Sequence, residues 1–92
     1  VGGKTAAKMA AKLSQIAAER QIVCITHLPQ LASAANHHFL IKKVKGENRT
    51  FTKINALNKK ERVEEIARMI GGATITDKTL AHAEEMVMLA KK

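Results

Sequence analysis

Two stretches of this sequence carry side chains suited to chemistry on a phosphate. Gly3-Lys4-Thr5 opens a helical pattern and matches the last three residues of a phosphate-binding loop, where Lys reaches the β- and γ-phosphates and Thr holds magnesium. That loop also needs a glycine five residues before Gly3, a position that precedes Val1. A glycine turn into a helix accounts for the same residues. The second stretch centres on His27, directly after the β-branched run Ile22-Val23-Cys24-Ile25-Thr26. Ligands of open α/β sheets gather at the carboxyl ends of parallel strands, and an imidazole there can hydrogen-bond a phosphate oxygen or a water. A histidine in that place also serves in purely structural roles.

Other chemistries find less support. Cys24-x-x-His27 followed by His37-His38 has the residue types of a metal site. Along a strand, however, odd offsets point to opposite faces, and no second pair completes a tetrahedral set. No metal is expected, and Cys24 reads as a small buried hydrophobe. His82 reads as a surface or capping side chain, and the four methionines as packing. No Gly-x-Ser-x-Gly elbow is present, and two Phe are too few for a base-stacking platform.

These residues must be positioned by a short series of elements. From Thr5 to about Arg20 the pattern is helical, with Met9, Leu13 and Ile16 on one face and Ala6, Ala10 and Ala17 widening it. Lys4, Lys8 and Lys12 form a second stripe, read as a solvated face or as an anion-facing edge near the helix start. Residues 22–26 have the unbroken apolar character of a strand covered on both faces. Pro29 suits the first turn of a short helix reaching about Asn36. His37–Val44 reads as a strand, Lys45-Gly46-Glu47-Asn48 as a turn, and the return strand alternates Phe51, Lys53 and Asn55 against Thr52, Ile54 and Ala56. Neither face is clearly apolar, so the hairpin is expected to be an edge or half exposed.

Asn58 with Glu61 makes a variant capping box, followed by the stripe Val63, Ile66, Ala67 and Ile70. Glu64 is expected to pair with Arg68 on the outer face. Gly71-Gly72 should end that helix. Thr76 or Asp77 caps a last helix that carries Leu80, Ala83, Val87 and Ala90. The order is αβαββαα, an α/β pattern without internal repeats or a linker.

Composition narrows the class. Ninety-two residues allow one small domain, too few for a complete nucleotide-binding fold. Only Phe39 and Phe51 are aromatic, so a core must come from aliphatic side chains and alanines. Sixteen Lys and Arg against eight Asp and Glu give +8, a charge drawn to polyanions. No apolar stretch approaches the roughly 20 residues of a membrane span. The single cysteine and the lack of a signal-peptide pattern point to a reducing, cytoplasmic setting. A start at Val1-Gly2-Gly3 without an initiator methionine reads as a piece of a longer polypeptide.

Cys24-Ile25-Thr26-His27-Leu28-Pro29-Gln30-Leu31-Ala32 resembles the switch-histidine segment of the RecN family of bacterial DNA-repair ATPases, relatives of SMC and ABC-type ATPases. The likeness continues through Asn36-His37-His38-Phe39, through Glu61–Gly72 and through Thr79-Leu80-Ala81-His82-Ala83, covering nearly the whole chain in order.

The resemblance implies that residues 1–92 form the carboxyl-terminal segment of a P-loop ATPase head, its sheet incomplete without the amino-terminal half. Val1-Gly2-Gly3-Lys4 then looks like the tail of the family's D-loop, with Gly2 and Gly3 contacting nucleotide across two heads. The alternative, that Lys4 belongs to a truncated P-loop, stays open. His27 would be the switch histidine that senses the γ-phosphate and helps polarise the attacking water. The implied cofactor is ATP with Mg2+ in the full-length protein. The implied partners are DNA and a second head in a homodimer, with no membrane, in a cytoplasmic, nucleoid-associated setting.

The Walker A, signature and Walker B motifs are missing from these residues, so the segment alone should neither bind nor hydrolyse ATP well. Its uncovered edges are expected to favour self-association or poor solubility. An alternative reading is a small basic nucleic-acid-binding module using Lys4, Lys8, Lys12, Lys42, Lys43 and Lys45. A structural domain whose charge serves solubility accounts for the same composition.

Overall fold

The computed structural model describes residues 2–90. Four helices and one hairpin follow in the order α1 (Gly3–Ala17), α2 (Pro29–Ala34), β1 (Phe39–Lys45), β2 (Thr50–Ala56), α3 (Lys59–Gly71) and α4 (Asp77–Ala90). The expected α/β character holds, but the order αβαββαα does not: Ile22–Thr26 is not a strand. Its β-branched residues favour extended backbone, yet a strand also needs a ladder partner. Among the described residues β1 and β2 pair only with each other. Val23 and Ile25 consequently stand 85% and 86% exposed.

The core lies where α2, α3 and α4 meet, on Ala32, Ile66, Ala67, Ala83 and Val87. Val63, Met69, Ile70, Leu80 and Met86 pack around it. Burying Ile66 and Val87 stabilises the cluster by about 1.5–3 kcal/mol each. The elements around this core carry strong local signals. Asn58 Oδ1 accepts from the Glu61 N–H at 2.8 Å, and Glu61 Oε1 accepts from the Asn58 N–H at 2.9 Å, completing the expected capping box. Gly72 ends α3 at φ +70°, where a side chain would be strained, and its N–H donates to the Arg68 carbonyl at 2.8 Å. Gly71 lets α4 come close, since a Cβ there would stand 3.2 Å from Thr79 Cγ2. Thr76 caps α4 by accepting from the Thr79 N–H at 3.2 Å.

Three local expectations shift. Arg68 pairs with Glu65, one turn back at i, i+3, and not with Glu64; its Nε lies 3.0 Å from both carboxylate oxygens. Ala90, expected on the packed stripe of α4, is exposed. On α1 only Ala6 and Ala10 are buried, Leu13 is half buried, and Met9 and Ile16 stay largely exposed. The α1 helix packs only against α2, whose six residues cover little more than one turn of it.

The hairpin pairs Phe39 with Ala56, Ile41 with Ile54 and Lys42 with Lys53 in antiparallel register. Its turn is closed by the Gly46 N–H donating to the Arg49 carbonyl at 2.7 Å, and the Arg49 guanidinium lies 4.9 Å from the Phe51 ring centroid. Its backbone stays clear of all four helices, and only Leu40 among its strand residues is not exposed. An edge or half-exposed hairpin was the expectation, and the structure is more exposed still.

The result is an open molecule. Its radius of gyration is 14.3 Å, against about 12 Å for a compact domain of this length. Its accessible surface is 7489 Å², against about 5,200 Å² for a folded monomer of 10 kDa.

Candidate functional site

The site forms where the start of α1 meets the loop into α2. Gly2 caps α1 in extended conformation with its carbonyl accepting from the Ala6 N–H at 3.0 Å. A Cβ on Gly3 would stand 3.2 Å from Gln30 Nε2, so Gly3 lies directly beside the residue three positions after His27. Gly2 faces open space. Val1, the first residue of the expected D-loop tail, lies outside the described residues.

The loop carrying His27 is held locally. Thr26 Oγ1 accepts from the Leu28 N–H at 3.0 Å, a side-chain turn around His27. Pro29 then starts α2, and the Leu28 carbonyl accepts from the Leu31 and Ala32 N–H groups at 3.1 Å. Ser33 is buried and donates from Oγ to the Gln30 carbonyl at 3.2 Å. His27 itself is exposed, with its imidazole free to meet a ligand.

Charge around this edge favours an anion. Glu19 is the only acidic side chain in residues 1–46, and the first turn of α1 contains none. Lys4, Lys8 and Lys12 are all exposed along α1. A helix start with free N–H groups and lysines nearby suits a phosphate on electrostatic grounds.

The histidines are not gathered. His37 is exposed, while His38 is half buried with Nδ1 covered and without a partner. Burial, and then the neighbouring Arg62 charge, hold the His38 imidazole below its ordinary pKa, against a smaller upward pull from Glu65. Cys24 is exposed, contrary to its reading as a buried hydrophobe, because the run that carries it joins no sheet among the described residues. His82 is exposed, as expected. Among the described residues no three His, Cys, Asp or Glu side chains are placed to hold a metal ion. No helix among them is long and apolar enough to cross a membrane.

One residue near the site was not singled out in the sequence. Arg62, on α3, is only 6% exposed, and its Nη2 donates to the carbonyls of Ala32 at 3.1 Å, Ser33 at 2.9 Å and Ala35. Burial draws its pKa downward, but a guanidinium keeps its charge. The available signal was its place four residues before Ile66, on the face of α3 that packs inward.

Comparison with known proteins agrees with the resemblance carried by the histidine loop. The chain is 43% identical over 89 residues to the DNA repair protein RecN of Haemophilus influenzae, covering 97% of this sequence. It is 42% identical over 90 residues to the protein of that name from Bacillus subtilis, and 40% over 87 residues to that of Deinococcus radiodurans. The chain is a segment of the RecN family. It spans about 16% of the length of the H. influenzae and B. subtilis relatives. No protein-family model matches it. The match to RecN runs through α1, the His27 loop, the hairpin and both final helices, since it covers 95–98% of the chain in these three comparisons.

Proposed function

We propose that this RecN segment supplies the γ-phosphate-sensing edge of a P-loop ATPase head in a protein that repairs double-strand breaks in DNA. The observation that supports this best is an exposed histidine on a locally fixed loop, beside Gly3 and a carboxylate-poor, lysine-bearing helix start, in a chain of which 97% aligns with part of a RecN relative.

In this reading His27 hydrogen-bonds the terminal phosphate and orients the attacking water, while Gly2 and Gly3 keep the backbone low enough for close approach to nucleotide held by an opposing head. ATP with Mg2+ supplies the scissile phosphoanhydride and the neutralising metal charge. The residues here fit the anionic side of that ligand: an exposed imidazole, backbone N–H groups and Lys4. The fit does not extend to the metal, because the edge carries no carboxylate and magnesium ligands would come from elsewhere in a full-length RecN. The head dimer, the DNA substrate and a cytoplasmic, nucleoid-associated setting belong to the same proposal.

The test is to replace His27 by Ala in a full-length RecN carrying this segment. ATP turnover should fall about 100-fold or more with the thermal transition little changed. Unchanged turnover would sink the role of His27.

A second reading rests on the hairpin. Lys42 lies directly opposite Lys53, a like-charge pair that destabilises a ladder, with Lys43, Lys45 and Arg49 nearby. A polyanion lying along the hairpin would relieve that repulsion. Salt-sensitive binding of the 92-residue chain to duplex DNA, lost in a Lys42→Ser, Lys53→Ser variant, is the expected result.

A further inference from the structure

The sequence gap between His27 and Arg62 conceals a physical connection. The helix α2 begins two residues after His27 and has only six residues, too few to hold its shape alone. It has no side-chain cap at its N-terminus, and it ends abruptly where Ala35 turns extended at ψ 148°. In its last turn the Ala32 carbonyl accepts from the Ala35 N–H at a long 3.3 Å, and among the described residues no backbone N–H reaches the Ser33 carbonyl, although Ala32 and Ser33 are almost fully buried. Arg62 meets this need. One guanidinium nitrogen donates to Ala32, Ser33 and Ala35, placing a positive charge at the negative end of the helix. Every hydrogen bond of the Arg62 side chain among the described residues goes to the end of α2; its Nε makes none.

Arg62 is itself held firmly. Its backbone N–H donates to the Asn58 carbonyl at 2.8 Å, in the first turn of α3, inside the capping box formed by Asn58 and Glu61. A path of hydrogen bonds and chain connections thus runs from the start of α3 through the guanidinium into α2, then through Pro29 and the Thr26–Leu28 turn to His27.

We propose that Arg62 is a positioning residue for His27: by clamping the carboxyl end of α2 it fixes the loop from which the imidazole reaches the γ-phosphate. This rests on the switch-histidine reading of His27. A displacement of about 1 Å at a reacting group can cost on the order of 100-fold in rate, so a remote clamp can matter as much as a direct contact.

The test uses a full-length RecN carrying this segment, with Arg62→Met, Arg62→Lys, His27→Ala and the Arg62→Met, His27→Ala double variant. Turnover of ATP and amide exchange are measured, the latter without nucleotide. Arg62→Met should lower kcat about 10–100-fold while KM for ATP stays within about threefold. Exchange at Leu31, Ala32 and Ala35 should rise about tenfold, with α4 amides unchanged. Arg62→Lys should recover part of both effects, because an ammonium still caps carbonyls but lacks the planar fork. In the His27→Ala background Arg62→Met should cost nothing further.

Wild-type kcat in Arg62→Met alongside a slow His27→Ala enzyme overturns the clamp and leaves the histidine reading intact. Wild-type kcat in His27→Ala overturns that reading and the clamp with it. Multiplying losses in the double variant show Arg62 acting elsewhere and also overturn the proposal. If Arg62→Met does not fold, Arg62→Lys decides: unchanged kcat and unchanged α2 exchange refute the clamp.

Discussion

The helical knot of α2, α3 and α4 and the extended parts of the chain, residues 22–26 and the hairpin, are built from similarly apolar sequence but behave in opposite ways. In the knot, Ile66, Ala67 and Ala83 are fully buried and four helix ends have a partner: a capping box and a glycine on α3, a threonine on α4 and an arginine at the end of α2. In the extended parts, Val23, Ile25, Phe39 and Ile54 all lie in water. A helix satisfies its backbone within itself, so a few apolar contacts suffice to dock it. A strand satisfies its backbone only through a neighbour, and among the described residues only the hairpin strands find one. The chain matches RecN along nearly its whole length yet spans about 16% of those relatives, which fits a segment whose helices are self-sufficient and whose strands are not.

The contrast can be broken first by matched deletions. Ile66→Ala should destabilise the 92-residue chain by about 2–5 kcal/mol in urea unfolding, through lost burial and a cavity. Ile54→Ala, at a site 65% exposed, should change it by no more than about 0.5 kcal/mol. Equal costs would mean that the hairpin shares the core.

The second test compares contexts. Val23→Ser should be within about 0.5 kcal/mol of neutral in the isolated chain, where Val23 is 85% exposed. In a full-length RecN the same change should lower the thermal midpoint, because a continuous β-branched run is the pattern of a strand covered on both faces. A neutral result in both would show that residues 22–26 stay uncovered.

A smaller effect probes the knot's helix ends. Asn58→Ala removes an acceptor from the Glu61 N–H and should cost about 1 kcal/mol, read from the urea midpoint. Asn58→Ser should restore most of it.

The smallest expected effect is a pH dependence at the border of the two regions. His38 sits just before β1 and beside Arg62, with its pKa held below the ordinary 6.5 by burial and then by that charge, against Glu65. The unfolded chain takes up this proton first as pH falls. The stability tied to the neutral ring is therefore full above pH 6.5 and is lost progressively below it. Unfolding midpoints of wild type and His38→Gln, measured from pH 7.5 to 5, should diverge in slope below about 6.5. Parallel slopes would contradict a half-buried imidazole held neutral.

Much of the knot was legible in the sequence because its signals are local. Asn58 with Glu61, Gly71-Gly72, Thr76 and the stripe through Ile66 each act within a turn or two of the residue concerned. Most of the differences involve distant neighbours. Reading Ile22–Thr26 as a strand supposes a partner that the described residues do not supply, and Cys24, without that cover, is exposed. Arg68 chose Glu65 over Glu64, a matter of side-chain geometry that spacing alone does not fix. The His27 loop is visible through its Thr-His-Leu-Pro sequence, whereas the approach of Gly3 to Gln30 has no sequence signal. Arg62 was not visible, because its targets are backbone carbonyls 27–30 positions away, and backbone atoms leave no mark in a sequence.

We propose that the exposed imidazole of His27 faces the terminal phosphate of ATP. The most direct test is steady-state ATP hydrolysis by a full-length RecN carrying this segment, wild type against His27→Ala. The expected result is a fall in kcat of about 100-fold or more with KM for ATP within about threefold. A variant that turns over ATP at the wild-type rate would contradict it.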